Sequence, residues 1–346
     1  MKFHIEDSLL MDHLNQSYGI HAESLQFIPM GDSAYSYQVN GRNGQKYYLK
    51  LFDQQNERHR TSIQRLDNYL PLTWKMYHQN LFPTVTYPLK NLKGEFKASF
   101  NGVTTVLFNF IEGETLAEAY PFSSQIVQDI AQSAAGIHLI TPHIDPSTVM
   151  NETFDISFES DLVQCINVLE HNVIFDNQIK QSLRGHILSK KEHIFSLLHL
   201  VRELRQVAIR ASNEKVLCHG DIWGGNLIRH ANDLYFIDWE SAIIAPREFD
   251  MIGYIGEEFE VFLPAYEEHF GQFVTVNLDV IRFYAYRHHL RNLTNWLMNI
   301  LYRNIEQAQN ENDLEMILHH CMNRWDQIEP KVKAAGEFLN KRPVSQ

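Results

Sequence analysis

The chain has 346 residues, 44% of them hydrophobic, and sets 30 basic residues against 42 acidic ones for a formal net charge of −12. That length allows one large domain or two modest ones, and the apolar content excludes global disorder. The acidic balance argues against nucleic-acid binding, which needs a basic face, and is compatible with a cationic small-molecule partner.

Cys165, Cys218 and Cys321 lie far apart and form no CxxC pair, so neither a disulfide framework nor a zinc site is suggested. His288-His289 and His319-His320 are adjacent pairs, whose members point to different sides of a helix. The opening stretch MKFHIEDSLLMDHL carries acidic residues where a signal peptide needs an apolar run. No segment approaches the ~20 apolar residues of a membrane span. The expected setting is cytoplasmic, with neither a membrane nor a nucleic acid as partner.

In chain order, a helix is predicted from Glu6 to Tyr18, ending at Gly19. The period then changes to two. Ala34–Val39 and Lys46–Phe52 flank the polar turn Asn40-Gly41-Arg42-Asn43-Gly44, which reads as a hairpin. A helix follows from about Arg60 to Tyr77, expected to be interrupted near Pro71. Glu95–Phe100 and Val103–Phe110 flank Asn101-Gly102, a second hairpin. Beyond Phe110 the apolar spacing turns helical over Ser123–Leu139, Asp161–Glu170, Asn177–Arg210, Val280–Leu301 and Glu311–Leu339. One strand-like island interrupts it, at Val216–Cys218 and Leu234–Ile237. The resulting expectation is an α+β fold of two lobes, an antiparallel β-rich lobe over 1–110 and a larger, mainly helical lobe over 111–346.

The island carries the chemistry. Val216-Leu217-Cys218 runs into His219-Gly220-Asp221, Asn226 stands five residues further on, and Tyr235-Phe236-Ile237 runs into Asp238. Polar residues at strand ends project from loops into a cleft. Phosphoryl transfer from a nucleotide asks for little more: an Asp to take the acceptor hydroxyl's proton, and an amide oxygen with a second carboxylate for a hard cation such as Mg²⁺. Asp221, Asn226 and Asp238 supply that set in the order that protein kinases use.

The segments His219-Gly220-Asp221…Asn226 and Ile237-Asp238-Trp239-Glu240 resemble the aminoglycoside phosphotransferase and choline kinase superfamily, with its H-G-D-x-x-x-x-N loop and following I-D-W/F-E/D strand. The first lobe, with Tyr18-Gly19-Ile20, Phe27 to Ala34 and Tyr47-Tyr48-Leu49-Lys50-Leu51, looks like the spectinomycin phosphotransferase branch. The resemblance implies a protein-kinase-like two-lobed fold. It further implies that Asp221 is the catalytic base, that Asn226 and Asp238 bind Mg²⁺, and that His219 and Asp250, the latter within Ala245–Asp250, brace the catalytic loop.

Alone, Lys50 would read as an edge lysine. Joined to the downstream residues it becomes the lysine that reaches the nucleotide phosphates. The turn with Gly31 and Ser33 would cover those phosphates through backbone N–H groups. It holds a single glycine and lacks the G-x-G-x-x-G of protein kinases. Asp67, with Glu57 as alternative, is expected to fix Lys50. Asn109 and Ile111, in a segment that resembles the family's hinge, would bond adenine through their backbone. Glu257, Glu258 and Glu260, with no cation among them, would line a pocket for a polycationic acceptor.

The implied activity is transfer of the γ-phosphoryl group of ATP or GTP, with Mg²⁺, to a small-molecule hydroxyl, an aminoglycoside or aminocyclitol such as spectinomycin. The alternatives are a metabolite kinase acting on choline, homoserine, methylthioribose or a sugar, and a nucleotide-binding pseudokinase.

Overall fold

A computed structural model describes residues 3, 5–29, 34–172, 174–175, 177–211, 214–304 and 306–342. The chain forms two compact units: residues 1–151 with 216–245, and residues 152–215 with 246–346.

In the first unit, α1 (Asp7–Tyr18) buries Leu10, Leu14 and Tyr18, spaced four apart on one face. It stops at Gly19, whose φ of 67° and N–H bond to the Asn15 carbonyl make a left-handed cap. The helix packs on an antiparallel sheet ordered β1 (Ala22–Ile28), β2 (Tyr35–Gly41), β3 (Lys46–Asp53), β5 (Val103–Asn109) and β4 (Ala98–Phe100). The β2–β3 hairpin closes through a 3₁₀ turn over Arg42–Gly44. Asn101 and Gly102 both take positive φ, 47° and 78°, as the tight β4–β5 turn requires. The strand expected from Glu95 begins only at Ala98, because the Asn91 side chain captures the amides of Lys93 and Glu95 in a loop.

The helix expected to break near Pro71 instead runs unbroken as α2 (Glu57–His78). Pro71 gives up one bond, to the carbonyl of Asp67, on an exposed face. Burial of Leu66, Tyr69, Leu70, Leu72 and Met76 outweighs that loss.

Beyond the sheet come β6 (Glu114–Thr115), α3 (Ser124–Leu139), β7 (Met150–Asn151), β8 (Val216–Cys218), β9 (Leu227–His230), β10 (Asp233–Phe236) and β11 (Ile243–Ala245). Ser123 caps α3 by accepting from the Ile126 amide. The strands form two small sheets, β10-β9-β6 and β7-β11-β8.

The second unit is helical: α4 (Glu159–His171), α5 (Gln178–Ser189), α6 (Lys191–Ala211), α7 (Glu248–Met251), α8 (Phe259–Phe270), α9 (Leu278–Met298), α10 (Gln307–His320) and α11 (Trp325–Lys341). Helix α9 is its axis, packing against α4, α6, α7, α10 and α11. Two predicted long helices are each split. The 177–210 stretch breaks at Lys190, and the 311–339 stretch breaks at a 3₁₀ turn over Met322–Arg324. Apolar period continues across both joints, so spacing alone could not show them. Phe259, Phe262 and Tyr266 of α8 are fully buried core residues. Among the described residues, no helix is long and apolar enough to cross a membrane.

Candidate active site

Strand β8 is buried along its whole length and His219 after it is fully buried, so the chain first becomes partly exposed at Gly220 and Asp221. Gly220 then takes φ +83°, and a Cβ there would sit 2.4 Å from the Ser241 carbonyl oxygen. A side chain is therefore excluded where the loop after β8 touches the loop after β10. His219 ties these loops as well. Its Nε2 donates to the Ile237 carbonyl at 3.0 Å, and its Nδ1 accepts the Asp221 amide at 3.3 Å. The partners assign the tautomer, because a carbonyl only accepts and an amide N–H only donates.

Asn226 closes the loop opened by Asp221. Its Nδ2 donates to the Asp221 carboxylate at 2.7 Å and to the Asp221 carbonyl at 2.9 Å. Its backbone carbonyl accepts the Ile237 amide at 3.0 Å, one residue before Asp238. Asp238 has φ 60°, a left-handed conformation uncommon for any residue but glycine or Asn/Asp. It presents the carboxylate Oδ1 to the Lys50 ammonium at 2.8 Å. Lys50 is only 7% exposed. Burial alone would lower its affinity for a proton, but the Asp238 carboxylate overrides this and holds the ammonium charged, well above the ordinary lysine range.

Three of the predicted chemical residues and the predicted lysine are thus drawn together in one unit, across long sequence separations. Their donor set fits a hard divalent cation: the Asn226 amide uses its nitrogen on Asp221, which turns its oxygen to other work, and Asp238 already receives a cationic group.

Other predicted residues are placed differently. Asp67 does not fix Lys50. Its side chain is 73% exposed and pairs with Lys97 at 2.7 Å. The buried face of α2 runs through Leu66, Tyr69, Leu70 and Thr73, and Asp67 is rotated off it. Glu57, the alternative, is an exposed first-turn residue. The Asn109 N–H is already committed to the Tyr87 carbonyl at 3.2 Å, and its side-chain oxygen accepts the Tyr87 amide at 2.7 Å, so that N–H is not on offer to adenine. Ile111 lies in the connector between β5 and β6, partly exposed. Gly31 and Ser33 fall outside the described residues.

In the second unit, Asp250 is buried on α7. Glu257 and Glu260 are exposed, while Glu258 occupies the N-cap position of α8.

Two contributors escaped the sequence reading. Tyr120 accepts the Gly224 amide on its hydroxyl at 2.9 Å and so seats the turn before Asn226. Tyr69 stands on the α2 face that Asp67 was expected to occupy. Counting the helical period from Leu66 and Leu70 would have selected it.

Residues 24–284 match the model of a family described as the phosphotransferase enzyme family. No curated protein matches the chain by sequence alone. Among solved structures, a spectinomycin phosphotransferase in complex with ADP and spectinomycin superposes with a TM-score of 0.76 at 17% identity, covering 97% of this chain and 99% of that one. An amicoumacin kinase in complex with AMP-PNP and Ca²⁺ gives 0.56 at 16% identity, covering 90% of this chain and 93% of that one. The ethanolamine kinase of Plasmodium vivax gives 0.55 at 14%, covering 88% and 83%. At these identities the likeness is one of fold, the protein-kinase-like fold expected from the sequence.

Proposed function

The chain belongs to the phosphotransferase enzyme family, and on that premise we propose that it transfers the γ-phosphoryl group of ATP or GTP to a hydroxyl of a small, cationic acceptor of the aminoglycoside or aminocyclitol class. The observation that carries the proposal is the joined cluster of Lys50 with Asp238 at 2.8 Å and Asn226 with Asp221 at 2.7 Å.

In this reading Asp221 accepts the acceptor hydroxyl's proton as the new P–O bond forms. Asn226 holds one oxygen of that carboxylate and so fixes the direction of the other. Lys50 gives its charge to the nucleotide phosphates, and Asn226 and Asp238 would hold Mg²⁺. When bound, that ion neutralises charge on the transferred group. His219 braces the loop through the two hydrogen bonds described above, and Asp250 keeps its proposed bracing role. Residues 1–110 are proposed as the nucleotide-binding lobe, with Ile111 at its hinge, and 111–346 as the lobe for catalysis and acceptor binding. Glu257, Glu258 and Glu260 are proposed to supply negative charge for the acceptor, in keeping with the net charge of −12. The proposed setting is cytoplasmic.

The acceptor class is tested by turnover with Mg-ATP and Mg-GTP on aminocyclitols, aminoglycosides and amino alcohols, preceded by a thermal-shift screen, since a specific ligand raises apparent stability. Turnover on spectinomycin or kanamycin is the expected result. Robust turnover of choline or homoserine alone would replace this reading with a metabolite kinase. Nucleotide binding without transfer to any acceptor would replace it with a pseudokinase.

A further inference from the structure

The sequence leads one to expect an acid on α2 to hold the buried lysine, and the structure puts Tyr69 there instead. Helix α2 packs on β3, which carries Lys50, and on the 3₁₀ turn Trp239–Ser241 that directly follows Asp238. Tyr69 is 4% exposed, and among the described residues its hydroxyl has no hydrogen-bond partner. Lys50 and Asp238 thus stand on, or next to, the two elements that α2 packs against, and their charges bear on the buried phenol. Burial raises the phenol far above its ordinary value, so it keeps its proton and can both donate and accept.

A buried hydroxyl without a partner costs folding free energy, and phenylalanine of the same shape would avoid that cost. The hydroxyl gains a partner if the Lys50–Asp238 pair opens and the ammonium turns to it. Lys50 carries three N–H donors, and one of them is given to Asp238. We propose that Tyr69 is a positioning residue for Lys50 in the nucleotide-loaded protein. Its hydroxyl accepts a hydrogen bond from the ammonium once Asp238 is engaged by metal, and so keeps Lys50 aimed at the phosphates. This rests on the kinase reading above. Tyr69 would then do with a neutral oxygen what an acid on this helix would do with a charge, leaving Lys50 with a net positive charge to offer the phosphates.

The test is Tyr69→Phe in the full chain, with binding of Mg-AMP-PNP and of adenosine measured by calorimetry and the melting temperature recorded without ligand. The expected result is a melting temperature equal to or above wild type, Mg-AMP-PNP affinity lower by about tenfold as for loss of a hydrogen bond to a charged group, and unchanged adenosine affinity. A variant that melts several degrees lower, or does not fold, would show that the hydroxyl is already paired in the unloaded protein and would overturn the proposal. So would unchanged Mg-AMP-PNP affinity, or equal losses for both ligands. Wild-type protein that binds neither ligand would overturn the kinase reading itself, a result separable from all of these.

Discussion

Gly220→Ala probes the contact that joins the two acidic loops. The new methyl would lie 2.4 Å from the Ser241 carbonyl oxygen, about 1 Å inside ordinary van der Waals contact, and its neighbour there is backbone that cannot rotate away. The residue would also have to hold φ +83° with a Cβ, at a cost of about 1–2 kcal/mol. Forcing the two segments apart adds about 1–3 kcal/mol, as overpacking does elsewhere. The total of roughly 2–5 kcal/mol corresponds to a fall in melting temperature of about 5–15 °C for a unit of this size. Gly44→Ala isolates the backbone part, because Gly44 has φ +75° with nothing within 4 Å of a Cβ. It should lose only about 1 kcal/mol. Calorimetry of both variants, with turnover measured below both transitions, separates the two contributions. Turnover of Gly220→Ala should drop sharply, since the glycine separates His219 from Asp221, while that of Gly44→Ala should not. A Gly220→Ala protein that melts and turns over like wild type would refute the idea that this close approach seats the catalytic loop.

Asp238→Ala should weaken Mg-nucleotide binding as well as turnover, and a Mg²⁺ titration with the midpoint of wild type would contradict the assignment. In the second unit, Arg287 holds Glu152 through two bonds of 3.0 and 2.6 Å, with the Glu152 side chain 3% exposed. Burial alone would raise the Glu152 carboxyl, but Arg287 outweighs it and keeps the group below the ordinary range. Arg287→Met strands that charge and should cost about 3–5 kcal/mol in urea melts. Adding Glu152→Gln should recover part of the loss, and an additive double variant would count against the pair. Burial first, then the charges of Arg291 and Arg324, pushes His288 down to about 3 and His289 to about 4. Asn292 donates to His288 Nε2 at 3.0 Å, which suits the neutral ring. Both histidines would take up protons on unfolding between those lowered values and their ordinary value of about 6.5. Their contribution is therefore full above that pH and falls away on acidification towards pH 4, by up to about 1.4 kcal/mol per pH unit for each. Replacing both with glutamine should flatten the fall in urea stability between pH 6.5 and 4.5, and an unchanged slope would exclude them as its cause.

What could be read from the sequence was whatever is local. The Asn101-Gly102 turn, the helix ending at Gly19 and the strand ends that deliver Asp221 and Asp238 each follow from residues a few positions apart. The family match over 24–284 and the fold likeness agree with the family and the fold class expected from the sequence. What failed was decided by tertiary packing. Pro71 stays inside α2 because the buried face of that helix outweighs one lost bond. The joints at Lys190 and Met322–Arg324 interrupt helices without interrupting the apolar spacing. Charge and distance from Lys50 in sequence favour Asp67, yet a single helical step of about 100° turns it from buried Leu66 out to solvent, and Tyr69 stands on the buried face. The Asn109 amide could not be known to be spent on Tyr87, because that bond closes between separate segments.

The role of Asp221 is the centre of the account, and Asp221→Asn tests it directly. With an accepted substrate at saturation and Mg-nucleotide present, ADP release should fall by about 10²- to 10⁴-fold, as expected for loss of a general base, while nucleotide affinity by calorimetry stays within about twofold of wild type because the base acts only at transfer. Turnover within a few-fold of wild type would show that Asp221 does not take the proton and that the chemistry lies elsewhere.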